Sequence, residues 1–376
     1  MCKLFLKLFL IFSVPFSGYS QPELKVPPVF SLLQFENTIP PELLRTRTAV
    51  FIDFPDIKGE TVIRGNWKQF AEKIHTELRR LGIDAIAYYH LNDFYAGIDA
   101  TDGFKAPLAY REIENLIFVR QKENALGIEI ELILTANSAD DVLLRPNQKA
   151  YRITGSDFAQ IALQFARDLY QAKLINQNFM VPDRPEFFTD TNVLNGRRYE
   201  TFTRDLRIGK LAVPKFSVYK FPDGFDSTQL TANKLNAISL YNQQIARANQ
   251  KLAEILEKYP YKYELVDYSV GEEHLYRLEF SHVLMHLHST GINIRRFLNY
   301  EIDPSETDYI TLKTILDGVT TLEQYSINTP VYKYYMKHLV NKEVYLGTQW
   351  DADLTWEEAL VNHLNNFIEA LEGENN

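Results

Sequence analysis

The stretch Leu278–Asn293 reads LEFSHVLMHLHSTGIN, an apolar run carrying three histidines and a glutamate. Half of the chain's eight histidines lie between His274 and His288. Its reading decides the character of the last third of the chain. On a helix, residues advance about 100° each. Glu272, Glu279, His282, His286, Thr290 and Asn293 then form one polar stripe. Leu278, Phe280, Leu284, Met285 and Leu287 cover most of the remaining surface, and His288 points away. The sequence therefore predicts a largely apolar helix with one polar line.

The spacing Glu279-x-x-His282-x-x-x-His286 lets three side chains converge on a helix. Glu-x-x-His is half of a di-metal bundle site, so Glu279, His282 and His286 are candidate ligands for a divalent metal. A full site needs a second copy on a facing helix, and Glu72-x-x-His75 lies off its own apolar face. The preferred expectation is a structural stripe with no metal and no cofactor.

Two helices frame this stretch in the C-terminal part. One runs from Gln229 to about Lys258, with Ile238, Ile245 and Leu252 at helical spacing. The other opens at the capping box Thr355-x-x-Glu358 and carries Trp356, Leu360, Leu364, Phe367 and Leu371 on one face. Val331–Gly347 reads as a hairpin turning at Asn341-Lys342. Together these elements predict a helix-rich domain over 229–376. Residues 176–228, rich in Pro, Asp, Asn and Arg, read as an irregular connection.

The N-terminal part alternates differently. Thr48–Asp53, Asp84–His90 and Asn115–Val119 are apolar runs typical of buried strands. Ile128–Leu134 and Lys149–Gly155 add two more. Trp67, Phe70, Ile74, Leu78 and Leu81 recur at helical spacing before Gly82, and a helix is predicted near Asp102–Arg111. Ser156 is read as the cap of a helix with Phe158, Ile161, Phe165 and Leu169 on its apolar face. The order β-α-β-α-β-β-β-α over 46–175 resembles the small periplasmic α/β domains of envelope-assembly proteins, the TolB amino-terminal and CsgG families. The resemblance is one of element order and implies no functional residues. The fold expected for the chain is α+β: an α/β domain with a mixed sheet, then the helix-rich domain.

The first residues carry a different signal. Lys3 and Lys7 precede the run LFLIFSVPF, and Gly18 and Ser20 flank Tyr19. That is the layout of a cleavable secretory peptide over 1–20, followed by an extended lead-in over 21–45. Gln21 at the new N-terminus resembles exported proteins of Bacteroidota-type bacteria. Cys2 is the single cysteine. Cleavage after Ser20 removes it, which excludes disulfides, thiol catalysis and cysteine-ligated metals from the mature chain. The expected location is the periplasm.

Formal net charge is −9 and becomes −11 once Lys3 and Lys7 are removed. No basic run marks a nucleic-acid surface, and no second apolar segment is long enough to span a membrane. P-loop, GxGxxG, HExxH and GxSxG motifs are absent. A rule of open α/β sheets supplies one more candidate site, because ligands bind beyond the carboxyl ends of parallel strands. Asp53 and Asp56 follow the first strand, and His90 and Asp93 the second; these four are the rim candidates. The function expected is a soluble periplasmic binding or assembly factor for an envelope protein or polysaccharide. The alternative is a metal-assisted enzyme centred on Glu279, His282 and His286.

Overall fold

A computed structural model describes residues 29–124, 127–138, 143–267, 269–314 and 319–373. The predicted signal peptide and its cleavage site lie outside these residues. The fold class is α+β, with mixed sheets.

The first part contains β1 (Gln34–Phe35), β2 (Arg47–Asp53), a hairpin of β3 (Ile57–Lys58) and β4 (Val62–Ile63), α1 (Trp67–Arg80) and β5 (Ala85–His90). Then come α2 (Leu91–Phe94), α3 (Ile98–Tyr110), β6 (Ile113–Asn124), β7 (Gly127–Ala136), β8 (Lys149–Gly155), α4 (Phe158–Ala172) and β9 (Phe187–Phe188). The second part contains β10 (Arg198–Tyr199), β11 (Lys210–Pro214), α5 (Ala232–Leu256), β12 (Tyr263–Val266), α6 (Glu272–Arg277), β13 (Phe280–Thr290) and α7 (Gly291–Phe297). It closes with a hairpin of β14 (Asp308–Thr314) and β15 (Thr320–Ser326), then β16 (Pro330–His338), β17 (Val344–Tyr345) and α8 (Trp356–Gly373).

Two large sheets result, ordered β1-β8-β7-β6-β2-β5-β9 and β10-β17-β16-β13-β11-β12. Apart from β9, they match strand for strand. Each begins with a short strand parallel to the last one. Each has a parallel central trio and then two antiparallel pairings. The likeness reaches single residues. Both central parallel pairings slip by one residue at their first position, at Arg47/Thr48 and at Lys210/Leu211. Glu112 and Glu279, each immediately before the third long strand, both have left-handed backbone, with φ of 55° and 63°. Asn147 and Lys342, each two residues before the last strand, share it too, at 58° and 60°. The chain is built as two repeats of one βαβαβββα unit.

The structure departs from the sequence reading in two main places. LEFSHVLMHLHSTGIN is mainly a central strand, not a helix, and the C-terminal part sets its helices against a six-stranded sheet. The irregular connection holds β9, β10 and β11, the last only five residues long and bounded by Gly209 and Pro214. A smaller correction concerns α4, which is capped by the Asp157 carboxylate accepting from Ala159 N rather than by Ser156.

The helices α1 and α4 cover the outer face of the first sheet, over Val50, Ile52, Ile117, Leu132 and Leu134. Helices α5 and α8 cover the outer face of the second, over Val213, Leu284, Tyr334 and Met336. Between the sheets one continuous core joins Phe51, Tyr89 and Phe118 of the first to Val283, Met285, Leu287 and Tyr335 of the second. Phe94 of α2, Phe104 of α3 and Phe297 of α7 fill the space between.

Beyond Val283, β13 loses its neighbour β11, and the free edge meets the first repeat instead. His288 N donates to the Ala96 carbonyl at 2.7 Å. A Cβ on Gly97 would lie 2.3 Å from the His286 carbonyl oxygen, so this approach requires glycine. A buried ion network crosses the same boundary, where Lys337 Nζ reaches Asp99 of α3 at 2.9 Å and Glu272 at 2.7 Å.

Candidate functional site

On a strand, successive side chains alternate between faces and residues rise about 3.3 Å each. His282 and His286 therefore share a face but sit roughly 13 Å apart along β13. Glu279 precedes the strand and is exposed. The convergence that a helix would give these three residues is absent. Each histidine instead pairs with an aromatic ring on β16. His282 lies opposite His338, His286 opposite Tyr334 and His288 opposite Tyr332. The closest is His288, stacked flat on Tyr332 at 3.9 Å. Burial depresses His282 and His286 to about 4 and His288 to about 3, so all three are neutral at pH 7. Among the described residues no group of three or more His, Cys, Asp and Glu is placed to hold a metal ion.

The rim candidates behave differently. Strands β2 and β5 are parallel neighbours, so their carboxyl ends share one edge. Three of the four candidates meet there around Arg64, which stands in the loop between β2 and α1. Arg64 Nη1 donates to Asp93 Oδ1 at 2.9 Å and to His90 Nδ1 at 2.9 Å. Its Nε lies 3.3 Å from Asp56 Oδ1. Accepting from Arg64 places the His90 proton on Nε2, a buried atom with no hydrogen-bond partner. Burial, then the Arg64 charge, push His90 down to about 3. The fourth candidate, Asp53, is elsewhere: it pairs with Arg120, which also touches the buried Glu131 of β7.

Asp93 links the repeats. It is almost fully buried and also accepts from Ser289 Oγ at 2.6 Å and Asn293 Nδ2 at 2.9 Å. Burial pulls its carboxyl upward, but Arg64, His90 and these hydrogen bonds outweigh it and hold it below the usual carboxylate range. Arg64 N also donates to the Asn328 carbonyl at 2.9 Å, tying the loop to the segment after β15.

A cavity of about 580 Å³ opens beside this hub. Its first wall is Arg64, Asn66, Trp67 and Lys68, the loop and first turn of α1. Its second is Thr290, Asn293 and Arg296 of α7, with Pro304, Tyr309 and Asn328. Apart from Thr290 at the end of β13, the second wall belongs to residues 291–329, which the second repeat inserts where the first has only two residues between β6 and β7. The Asn66 side chain accepts from Gln69 N and caps α1.

Lys68 and Arg296 face this space from opposite repeats, both exposed. Burial, then the Arg296 charge, hold the Lys68 ammonium below the usual lysine range, against an opposing pull from Asp93. Among the described residues neither cation has a carboxylate within ion-pairing distance. The acids on the wall are engaged elsewhere. Glu306 pairs with Arg295, and Asp303 accepts from Ser305 N at 2.8 Å and its Oγ at 2.7 Å.

The sequence reading missed Arg64, Lys68, Ser289 and Arg296. The Asn66 cap before an aromatic-basic pair was a readable sign of a helix start. That Lys68 and Arg296, 228 positions apart in the numbering, line one cavity was not readable. No protein-family model, curated protein or solved structure matched the chain.

Proposed function

We propose that the protein is a binding protein that holds a small molecule in the cavity between its two repeats. The observation that carries this reading is the cavity itself. It lies at the carboxyl ends of the parallel strands β2 and β5, where open α/β sheets bind ligands. Its size falls within the range of small-molecule sites. Its walls come from both repeats, so an occupant would bridge them. The predicted signal peptide supports a periplasmic setting, and among the described residues no helix is long and apolar enough to cross a membrane. An envelope protein or polysaccharide remains the kind of partner expected for the assembled complex.

The test is native mass spectrometry of the full chain purified from the periplasmic fraction. The expected result is a mature mass beginning at Gln21 with a small-molecule adduct. Ile292 lines the cavity, and Ile292→Trp should remove the adduct while leaving the fold intact by circular dichroism. An adduct that survives in the filled variant would overturn the cavity as the site.

A further inference from the structure

We infer that the cavity selects an anion, and a doubly charged phosphate group over a single carboxylate. This rests on the cavity being the ligand site. Lys68 and Arg296 reach it from different repeats and from different helices. Two like charges facing one space destabilise it when it is empty. Burial first, and the Arg296 charge second, hold the Lys68 ammonium below the usual lysine range. Surface cations normally avoid such a pairing or take up a carboxylate. None of the nearby carboxylates pairs with either cation: Asp93 and Asp56 pair with Arg64, Glu306 pairs with Arg295, and Asp303 accepts from the neutral Ser305. An anionic ligand would give both cations the partner they lack.

Two features favour phosphate. A guanidinium and an ammonium from opposite sides suit a group with several acceptor oxygens. Helix α1 is 14 residues long and presents its first turn to the same space, adding partial positive charge at its N-terminus. That contribution is auxiliary; the two cations that line one cavity without a carboxylate partner carry the inference. The rest of the wall suits an uncharged body attached to the phosphate, with Trp67, Tyr309, Thr290 and Asn328 offering apolar faces and hydrogen-bonding groups.

The experiment is calorimetric titration of the full mature chain with inorganic phosphate, acetate and glucose, at 50 and 300 mM NaCl. Phosphate should bind at least tenfold more tightly than acetate, glucose should give no heat, and the higher salt should weaken phosphate binding. Lys68→Gln and Arg296→Gln should each weaken phosphate binding about tenfold or more. In the absence of ligand both variants should melt no lower than the parent, because a repulsion has been removed. Phosphate binding that is undetectable, or equal in both variants and the parent, would overturn the inference. The two readings fail separately. If a co-purifying ligand is lost in Ile292→Trp but kept in Lys68→Gln and Arg296→Gln, the cavity stands and the anion falls. If phosphate still binds Ile292→Trp with parental affinity, the cavity itself is the wrong place.

Discussion

The two repeats share a backbone plan and differ in the loop after their first long strand. After β2, the loop turns back through the β3–β4 hairpin and delivers Arg64 to the rim, beside an open cavity. After β11, the equivalent loop is laid along α5 and closed. Asn249 and Asn242 of α5 each grip a loop residue twice. Asn249 accepts from Phe216 N at 2.8 Å and donates to its carbonyl at 3.0 Å; Asn242 does the same for Tyr219 at 2.7 and 3.0 Å. Phe221 and Phe225 then stack at 4.8 Å and pack against Leu32, Leu230 and Ile238. One topology thus carries two different loops, one delivering an arginine to the rim beside a cavity and one laid along a helix. A shared plan of strands fixes where a site can be, while the connecting segments fix whether one exists.

The outer layers differ in the same sense. The first repeat packs α1 and α4 on a nearly aliphatic sheet face. The second packs α8 over tyrosines and histidines, with a buried ion pair between Lys333 and Asp351 at 2.5 Å. Asp351 also accepts from His363 Nδ1 at 3.0 Å and Asn366 Nδ2 at 2.9 Å.

The contrast between the repeats is greatest at Asp93. Asp93→Ala would leave the buried Arg64 guanidinium without its main partner, and removing one member of a buried pair costs about 3–5 kcal/mol. The corresponding strand end of the second repeat carries Asp267, an exposed residue paired with Lys220. Asp267→Ala should cost less than about 1 kcal/mol. Urea unfolding of both variants measures the contrast, and equal losses would mean that Asp93 does not hold the repeats together.

A second expected effect is a pH dependence weighted towards the second repeat. His282, His286 and His288 lie there, and His90 lies in the first. All four have folded pKa values of about 3 to 4, below the unfolded value near 6.5. Between those values the unfolded chain binds more protons, so stability falls as pH drops from about 6.5 towards 4. Each histidine contributes a slope of up to about 1.4 kcal/mol per pH unit. Asp353 acts oppositely. Burial, then Glu358, raise it to about 6, so lowering pH through 6 relieves a cost. The net expectation is acid destabilisation, and His286→Phe should lower the slope by one proton's worth. An unchanged slope in denaturant titrations at pH 4.5 to 7 would remove His286 from the account.

A smaller effect tests the loop after β11. Phe225→Ala removes a half-buried stacked ring and should cost about 1 kcal/mol, with no change in phosphate binding. A change in phosphate binding would mean that this loop is coupled to the cavity. The smallest effect bears on the repeat itself. Glu112 and Glu279 are exposed and share left-handed backbone, which costs a side-chain-bearing residue about 1 kcal/mol. Glu112→Gly and Glu279→Gly should each stabilise by a few tenths to about 1 kcal/mol, and by similar amounts, in thermal melts. Opposite signs would mean that the two positions are not equivalent.

Local elements whose pattern has one reading were legible in the sequence alone. Trp67, Ile74 and Leu78 repeat at helical spacing and are buried on α1; Thr355 and Glu358 form the capping interaction that opens α8. The sequence also placed Asp53, Asp56, His90 and Asp93 on one rim, because strand ends of parallel neighbours must lie together, and all but Asp53 gather around Arg64. It could not decide LEFSHVLMHLHSTGIN. Both faces of β13 are buried, so its apolar residues show neither clean alternation nor a solvent side, and 11 residues suit a helix as well as a strand. Pairing with β11 and β16 settled the matter, and only that pairing spread His282 and His286 along an extended backbone. Nor could the sequence show the repeat. The second copy carries an insertion at 291–329 and a tyrosine- and histidine-lined face where the first is aliphatic, so the backbone plan survives without a shared residue pattern. The cavity was the least legible feature, since Lys68 and Arg296 come from different repeats and line one space only when the two sheets close on one core.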